Sequence, residues 1–262
     1  MNKQIIFFLI YKNKKLNMLK LNEIYLGDCI QEMKNIDNKS VDMILTDLPY
    51  NFTKNKWDQE IIPLDLLWKE YNRVIKDNGV IALFAQGKFA AKLIMSNEKM
   101  YKYDVIWKKG NRVSGFLNSN RQFMRNHEQI LFFYKKQPLY KPIMEEGGEP
   151  LHSKGKKYLE KQGVNNNYGY YDTTKPEKRK GSTQKYPKSI LNFEKPHPAI
   201  HPNEKPILLL EYLIKTFTNE DDLILDSTCG SGSTCIAAKN LNRRYIGIEK
   251  DEKWVELAKQ RL

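Results

Sequence analysis

Leu223-Ile224-Leu225-Asp226-Ser227-Thr228-Cys229-Gly230-Ser231-Gly232-Ser233-Thr234 passes from an apolar triplet through an acid into a loop of small residues. Leu223 to Leu225 reads as a buried strand, and Thr234 to Leu241 has helical spacing. Gly230 and Gly232 let the backbone approach a ligand closely, and a helix starting directly afterwards aims its unpaired N–H groups at whatever fills the loop. The nucleotide P-loop pattern GxxxxGK[ST] is absent, and no lysine is placed for a phosphate. The dinucleotide fingerprint fails as well, because Cys235 stands where its third glycine belongs. Tyr245 to Ile248 supplies a second strand that ends at Glu249, about where a carboxylate reaches the ribose hydroxyls of a nucleotide-like ligand. An adenosyl group without pyrophosphate fits these parts.

Outward from this loop, strand and helix patterns alternate. Strands are expected at Ile24 to Leu26, Val41 to Thr46, Val80 to Phe84, Tyr103 to Trp107 and Gln129 to Tyr134. Helical spacing covers Cys29 to Ile36, Leu64 to Ile75 (closed by Asp77-Asn78-Gly79), Lys88 to Met95, Ile207 to Phe217 and Glu252 to Leu262. A basic loop, Lys108 to Arg125, separates two of the strands. Such alternation predicts an α/β fold, a doubly wound and mainly parallel Rossmann-like sheet covered on both faces. With 262 residues, one α/β domain carrying one large insertion fits better than two independent domains.

The insertion is expected at 135–195, where periodicity fades and Lys, Gly, Asn, Pro and Tyr dominate. It divides the domain into halves at 21–134 and 196–262. Lys154, Lys156, Lys157, Lys178, Arg179, Lys180 and Lys185 are interleaved there with Tyr158, Tyr168, Tyr170, Tyr171 and Tyr186. Positive charge for phosphates thus sits beside rings that stack on bases, although a solvated loop has the same composition. The net charge of +13 makes nucleic acid the first candidate partner.

Asp47-Leu48-Pro49-Tyr50 closes the strand Val41 to Thr46 at its carboxyl end, where open α/β sheets bind ligands. Pro49 fixes its own φ and keeps Leu48 extended, so the Leu48 carbonyl can point into a pocket. An amino group on an aromatic ring is a poor nucleophile because its lone pair is delocalised. Asp47 accepting one N–H and the Leu48 carbonyl accepting the other would favour the pyramidal nitrogen that forms on alkylation. Tyr50 is placed to stack on the ring. The same four residues also occur as an ordinary strand-ending turn.

Several classes are disfavoured. Cys29, Cys229 and Cys235 form no CxxC pair, so neither a disulfide framework nor a thiolate zinc site is expected, and a reducing cytoplasm is the default. His127, His152, His197 and His201 lack ligand spacing, and no metal is expected. Mean hydropathy of -0.65 argues against a multispanning membrane protein. Ile5 to Tyr11 is too short to span a bilayer and lacks a cleavage site, so no membrane partner is expected. Residues 1–20 read as an N-terminal extension, with Met18 an alternative start.

Across residues 21 to 262 the sequence resembles the amino-group DNA methyltransferases, in the permuted class whose catalytic turn precedes the cofactor loop. The resemblance rests on Gly27-Asp28, Asp47-Leu48-Pro49-Tyr50-Asn51, Asn126-His127-Glu128-Gln129-Ile130-Leu131-Phe132-Phe133, His201-Pro202-Asn203-Glu204-Lys205-Pro206 and the loop from Asp226. It implies S-adenosylmethionine as cofactor, with Asp226, Ser227, Gly230, Gly232 and Thr234 on its methionine side. It also implies Glu249 on the ribose, Asp28 near the adenine and Lys205 at the methionine carboxylate. Asp47 to Tyr50 become the catalytic turn, acting on a base flipped from double-stranded DNA, and 135–195 becomes the target-recognition region. Leu48 replaces the family's commonest residue there, proline, a tolerable change because the group engaged is a main-chain carbonyl. Asp47, in place of serine or asparagine, favours N6 of adenine. N4 of cytosine, an RNA amine and a non-catalytic DNA-binding relic are the alternatives. A cognate restriction endonuclease and a homodimer are further partners that the sequence leaves open.

Overall fold

A computed structural model describes residues 18–50, 62–147, 183–201 and 203–262. Eight strands form one sheet: β1 Glu23–Leu26, β2 Val41–Thr46, β3 Ile75–Ala85, β4 Tyr101–Lys108, β5 His127–Phe133, β6 Ile190–Asn192, β7 Leu223–Asp226 and β8 Arg244–Glu249. Among the described residues six α-helices accompany them: α1 Cys29–Met33, α2 Leu64–Val74, α3 Gly87–Ser96, α4 Ile207–Phe217, α5 Ser233–Asn240 and α6 Glu252–Arg261. The strand order is β1-β8-β7-β2-β3-β5-β4-β6. Every pairing is parallel except those of β5 with β3 and β4. The expected doubly wound, mainly parallel sheet is therefore what the chain forms.

Burial on both faces explains the near-continuous apolar strands. Along β3, Val80, Ala82 and Phe84 enter one hydrophobic cluster with Leu209, Leu213 and Phe217 of α4. Ile81, Leu83 and Ala85 enter the other with Leu67 and Tyr71 of α2. Two elements differ from the sequence reading. Asp77-Asn78-Gly79 does not end a helix: α2 stops at Val74, and β3 begins at Ile75 with a register shift against β2 that accommodates these residues. β6, inside the stretch assigned to the insertion, pairs in parallel with β4 through Ile106↔Ile190 and Lys108↔Asn192.

Two compact units result, Met1–Lys141 with Ser189–Leu262, and Pro142–Lys188. Within the second, Glu145 and Lys185 form an antiparallel bridge, each N–H donating to the other's carbonyl at 2.9 Å. Residues 1–17, which contain most of the expected extension, and 148–182, the bulk of the insertion, lie outside the described residues. No helix among the described residues is long and apolar enough to cross a membrane.

Candidate active site

The order of winding reverses between the parallel strands β7 and β2: β7 is followed by β8 toward one edge of the sheet, and β2 by β3 toward the other. Sheets of this kind bind ligands at such a crevice, beyond the strands' carboxyl ends. Asp226 and Asp47 stand there, at and just after the ends of β7 and β2. Thr46 Oγ1 donates to Asp226 Oδ1 at 2.7 Å and lies 2.7 Å from Thr228 Oγ1, which donates to the Asp47 carbonyl at 3.0 Å. The glycine loop and the Asp47 turn, 180 residues apart, are thereby tied into one site. Between them opens a cavity of about 400 Å³, lined among others by Asp28, Asp47, Asp226, Gly230, Glu249 and Trp254.

The glycine-loop half is rich in carboxylates held by backbone donors. Gly230 N–H donates to Glu249 Oε2 at 2.8 Å, and the Lys250 and Asp251 N–H groups donate to Oε1 at 2.8 and 2.9 Å. Burial nevertheless raises the Glu249 pKa above the usual carboxylate range. Burial also lifts Asp226 to about 6, against the hydrogen bonds from Thr46, Thr234 and the Thr228 N–H; it remains mostly ionised at neutral pH. Asp28 caps α1, accepting from the Ile30 and Gln31 N–H groups at 3.0 and 3.1 Å. Ser227 Oγ lies 2.6 Å from the Tyr71 hydroxyl, which braces the loop from α2.

Two glycines carry the geometry. Gly232 has φ +80, and a Cβ there would meet the Ala258 Cβ of α6 at 2.9 Å. Opposite Cys235, a Cβ on Gly247 of β8 would meet the cysteine sulfur at 2.9 Å. The close helix–strand approach for which dinucleotide sites use a third loop glycine is met here from the neighbouring strand. Beside the loop, the His201 ring packs edge-on to Trp254 with centroids 4.2 Å apart. Burial, then the charge of Lys205, lowers its pKa to about 4, so it is neutral at physiological pH.

On the other side of the cavity, Tyr50 donates its hydroxyl to Asp47 Oδ1, and its ring stacks on Phe89 at 4.8 Å. Lys205 Nζ lies 2.5 Å from Asp47 Oδ2 and 3.3 Å from Glu128 Oε2. Glu128 also pairs with Lys109. This buried row carries two acids and two ammonium groups. Burial opposes the Lys205 charge, but Asp47 and Glu128 outweigh it and raise its pKa. Burial likewise opposes the charge of Glu128, but Lys205 and Lys109 hold its pKa below the ordinary value. For Asp47 burial prevails, and its pKa is raised against the pull of Lys205. The Leu48 side chain is buried in the core, 3% exposed, and Pro49 lines the cavity.

The structure thus brings Asp28, Asp47, Pro49, Lys205, Asp226, Ser227, Gly230, Thr234 and Glu249 to one cavity. Lys205, expected at a methionine carboxylate, lines the cavity and contacts Asp47 and Glu128. Of the basic residues assigned to DNA, Lys154, Lys156, Lys157, Lys178, Arg179 and Lys180 lie outside the described residues, and Lys185 sits in the second unit. Sequence reasoning missed Glu128 and Lys109 as site residues; the available signal was a buried-strand pattern, Ile130 to Phe133, entered through the charged Glu128. It also missed Arg261, which donates to the Ser231 carbonyl at 2.8 Å and pairs with Glu204 at 2.7 Å, joining the glycine loop to the Lys205 segment.

Fold and site define an α/β enzyme with an adenosyl-sized crevice and a carboxylate-bearing turn at its lip. The chain belongs to the DNA methylase family, whose model matches residues 41–260. Among its relatives, the type II methyltransferase M.HinfI of Haemophilus influenzae is 29% identical over 92% of this chain and 68% of its own length. M1.MboII of Moraxella bovis is 28% identical, covering 92% and 96%. The crystal structure of an M1.HpyAVI–SAM complex superimposes with a TM-score of 0.60 at 25% identity, covering 92% of this chain and 99% of that one. The PvuII DNA methyltransferase, described as cytosine-N4-specific, shares the fold with a TM-score of 0.66 at 15% identity, covering 94% and 87%.

Proposed function

We infer that this DNA methylase transfers a methyl group from S-adenosylmethionine to N6 of adenine in double-stranded DNA, the base having left the helix. The observation that carries this reading is the Asp47 carboxylate at the mouth of the crevice, joined to the glycine loop through Thr46 and Thr228. The donor set suits the cofactor. Asp226 offers a carboxylate to its amino group, Glu249 one to its ribose and Asp28 one near its adenine, while Ser227, Gly230 and Thr234 line the space for its chain and Gly232, packed on Ala258 of α6, shapes the loop. When bound, adenosylmethionine supplies an electrophilic methyl group on a cationic sulfur.

Asp47 accepts an N–H of the target amine and the Leu48 carbonyl accepts the other, drawing the nitrogen lone pair out of the ring. A carboxylate has about four acceptor positions, so the contacts with Tyr50 and Lys205 leave Asp47 room for the amine. Burial keeps Asp47 basic enough to take the proton released after methylation. Pro49 holds the turn, and Tyr50 presents its ring to the base. Base extrusion costs roughly a few kcal/mol, which stacking and these hydrogen bonds offset.

Incubation of unmodified plasmid DNA with the protein and labelled adenosylmethionine, followed by digestion to nucleosides, tests the assignment. N6-methyldeoxyadenosine is expected; N4-methyldeoxycytidine would replace adenine by cytosine as the target. Duplex RNA is expected not to compete for methylation. The Asp47→Ala variant is expected to bind cofactor and DNA with kcat reduced by at least about 100-fold. Undiminished turnover in that variant would reject the role of Asp47.

A further inference from the structure

The basic loop between β4 and β5 has no part in the chemistry above, yet it rises from the sheet edge that carries the site. β4 is parallel to β3, so the β4–β5 connection leaves at the carboxyl edge. β5 and β4 stand two and three strands from β2, which places the loop's root about 10 to 14 Å across the sheet from the Asp47 strand. Lys109 at that root pairs with Glu128, the neighbour of Lys205, and Arg125 Nη1 donates to Gln86 Oε1 at 3.0 Å just beyond β3.

The loop is a formed ribbon. Lys109 N–H donates to the Asn126 carbonyl at 2.8 Å, and Ser114 and Arg125 exchange N–H···O bonds at 2.8 and 3.0 Å. Gly115, at φ +81, turns the chain into a 3-10 turn over Phe116–Asn118. On this ordered tip the apolar side chains point outward: Phe116 is 66% exposed, Leu117 82% and Phe123 102%, with Val113 and Met124 nearly half exposed. Such a cluster marks an interaction surface. From Lys108 to His127 the sequence carries Lys108, Lys109, Arg112, Arg121 and Arg125 and no Asp or Glu. Two copies of so basic a tip repel each other, whereas a polyanion is complementary to it.

We propose that residues 109–126 form a wedge that enters the DNA duplex beside the extruded base, Phe116, Leu117 and Phe123 restacking the opened step while Arg112 and Arg121 hold flanking phosphates. This rests on the base-extrusion reading above. Removing a base from its stack leaves an apolar gap, and inserted Phe or Leu side chains stabilise unstacked steps in kinked DNA. The wedge gives the enzyme a DNA contact separate from the 135–195 stretch.

Two measurements on the full chain test it. Phe116, Leu117 and Phe123 changed together to Ala touch no core, so the fold and adenosylmethionine affinity are expected to persist while kcat/KM on duplex plasmid falls about 10- to 100-fold. In the second, photoreactive benzoylphenylalanine in place of Phe123 is expected to crosslink to duplex plasmid. Unchanged kcat/KM in the triple variant overturns the wedge. So does a crosslink that forms only to a second protein copy, or no crosslink at all. A crosslink from the benzoylphenylalanine variant, with wild type transferring no methyl group, would instead refute the function and leave the DNA contact standing.

Discussion

In the proposed reaction Asp47 must be ionised to accept an N–H of the amine, yet it is buried, and burial favours its neutral form. Lys205 works against burial, since an ammonium at 2.5 Å favours the charged carboxylate, while Glu128, on its other side, favours the protonated lysine. Removing Lys205 takes away the attraction that lowers the Asp47 pKa, so a Lys205→Met variant needs higher pH to ionise Asp47. The acidic limb of its kcat–pH profile should move to higher pH, with kcat at neutral pH falling about 10-fold or more. If Lys205 binds the methionine carboxylate instead, calorimetry will show a weakened cofactor Kd and the pH limb will stay in place. Loss of one partner from a buried ion pair also destabilises by about 3 to 5 kcal/mol, so rates should be referred to the folded fraction.

Elements with a strong local pattern were legible in the sequence: Leu223 to Leu225, Val41 to Thr46 and the helix Ile207 to Phe217 all lie where apolar periodicity put them. β6 was not, because three residues carry no period and its pairing with β4 is set by tertiary contact. The site divides in the same way. The Asp47 turn and the glycine loop announce themselves in short motifs, whereas the Lys205–Asp47 pair joins residues 158 apart and leaves no local trace. The packing of α5 on the sheet belongs to this second kind, since the glycine that permits it is on β8. Gly247→Ala would press a methyl group against the sulfurs of Cys235 and Cys229 at 2.9 and 3.1 Å and Ile24 Cγ1 at 3.0 Å. Overpacking of that kind costs about 1 to 3 kcal/mol, readable as a lower urea midpoint with unchanged m. Adding Cys235→Ala removes the nearest obstruction and is expected to restore part of the loss. If the double variant is no more stable than Gly247→Ala, the strain has another source.

At the scale of the whole molecule, a net charge of +13 suits solubility and DNA binding alike, and the salt response separates the two. Each phosphate neutralised by Lys or Arg releases condensed counterions, giving log Kobs a slope near -0.9 per contact against log salt. Charge that merely solvates the surface produces no such steepness. Fluorescence anisotropy with a labelled duplex is therefore expected to show affinity falling by about 10³ to 10⁵ between 50 and 200 mM salt, the range for 6 to 10 phosphate contacts. Lys178, Arg179 and Lys180, changed together to Ala, should flatten that slope by about 3 if each meets a phosphate. Methylation by this variant should be restored at low salt, because Asp47 and the crevice are untouched. An unaltered slope would place the phosphate contacts elsewhere, with Arg112 and Arg121 of the β4–β5 ribbon the next to neutralise.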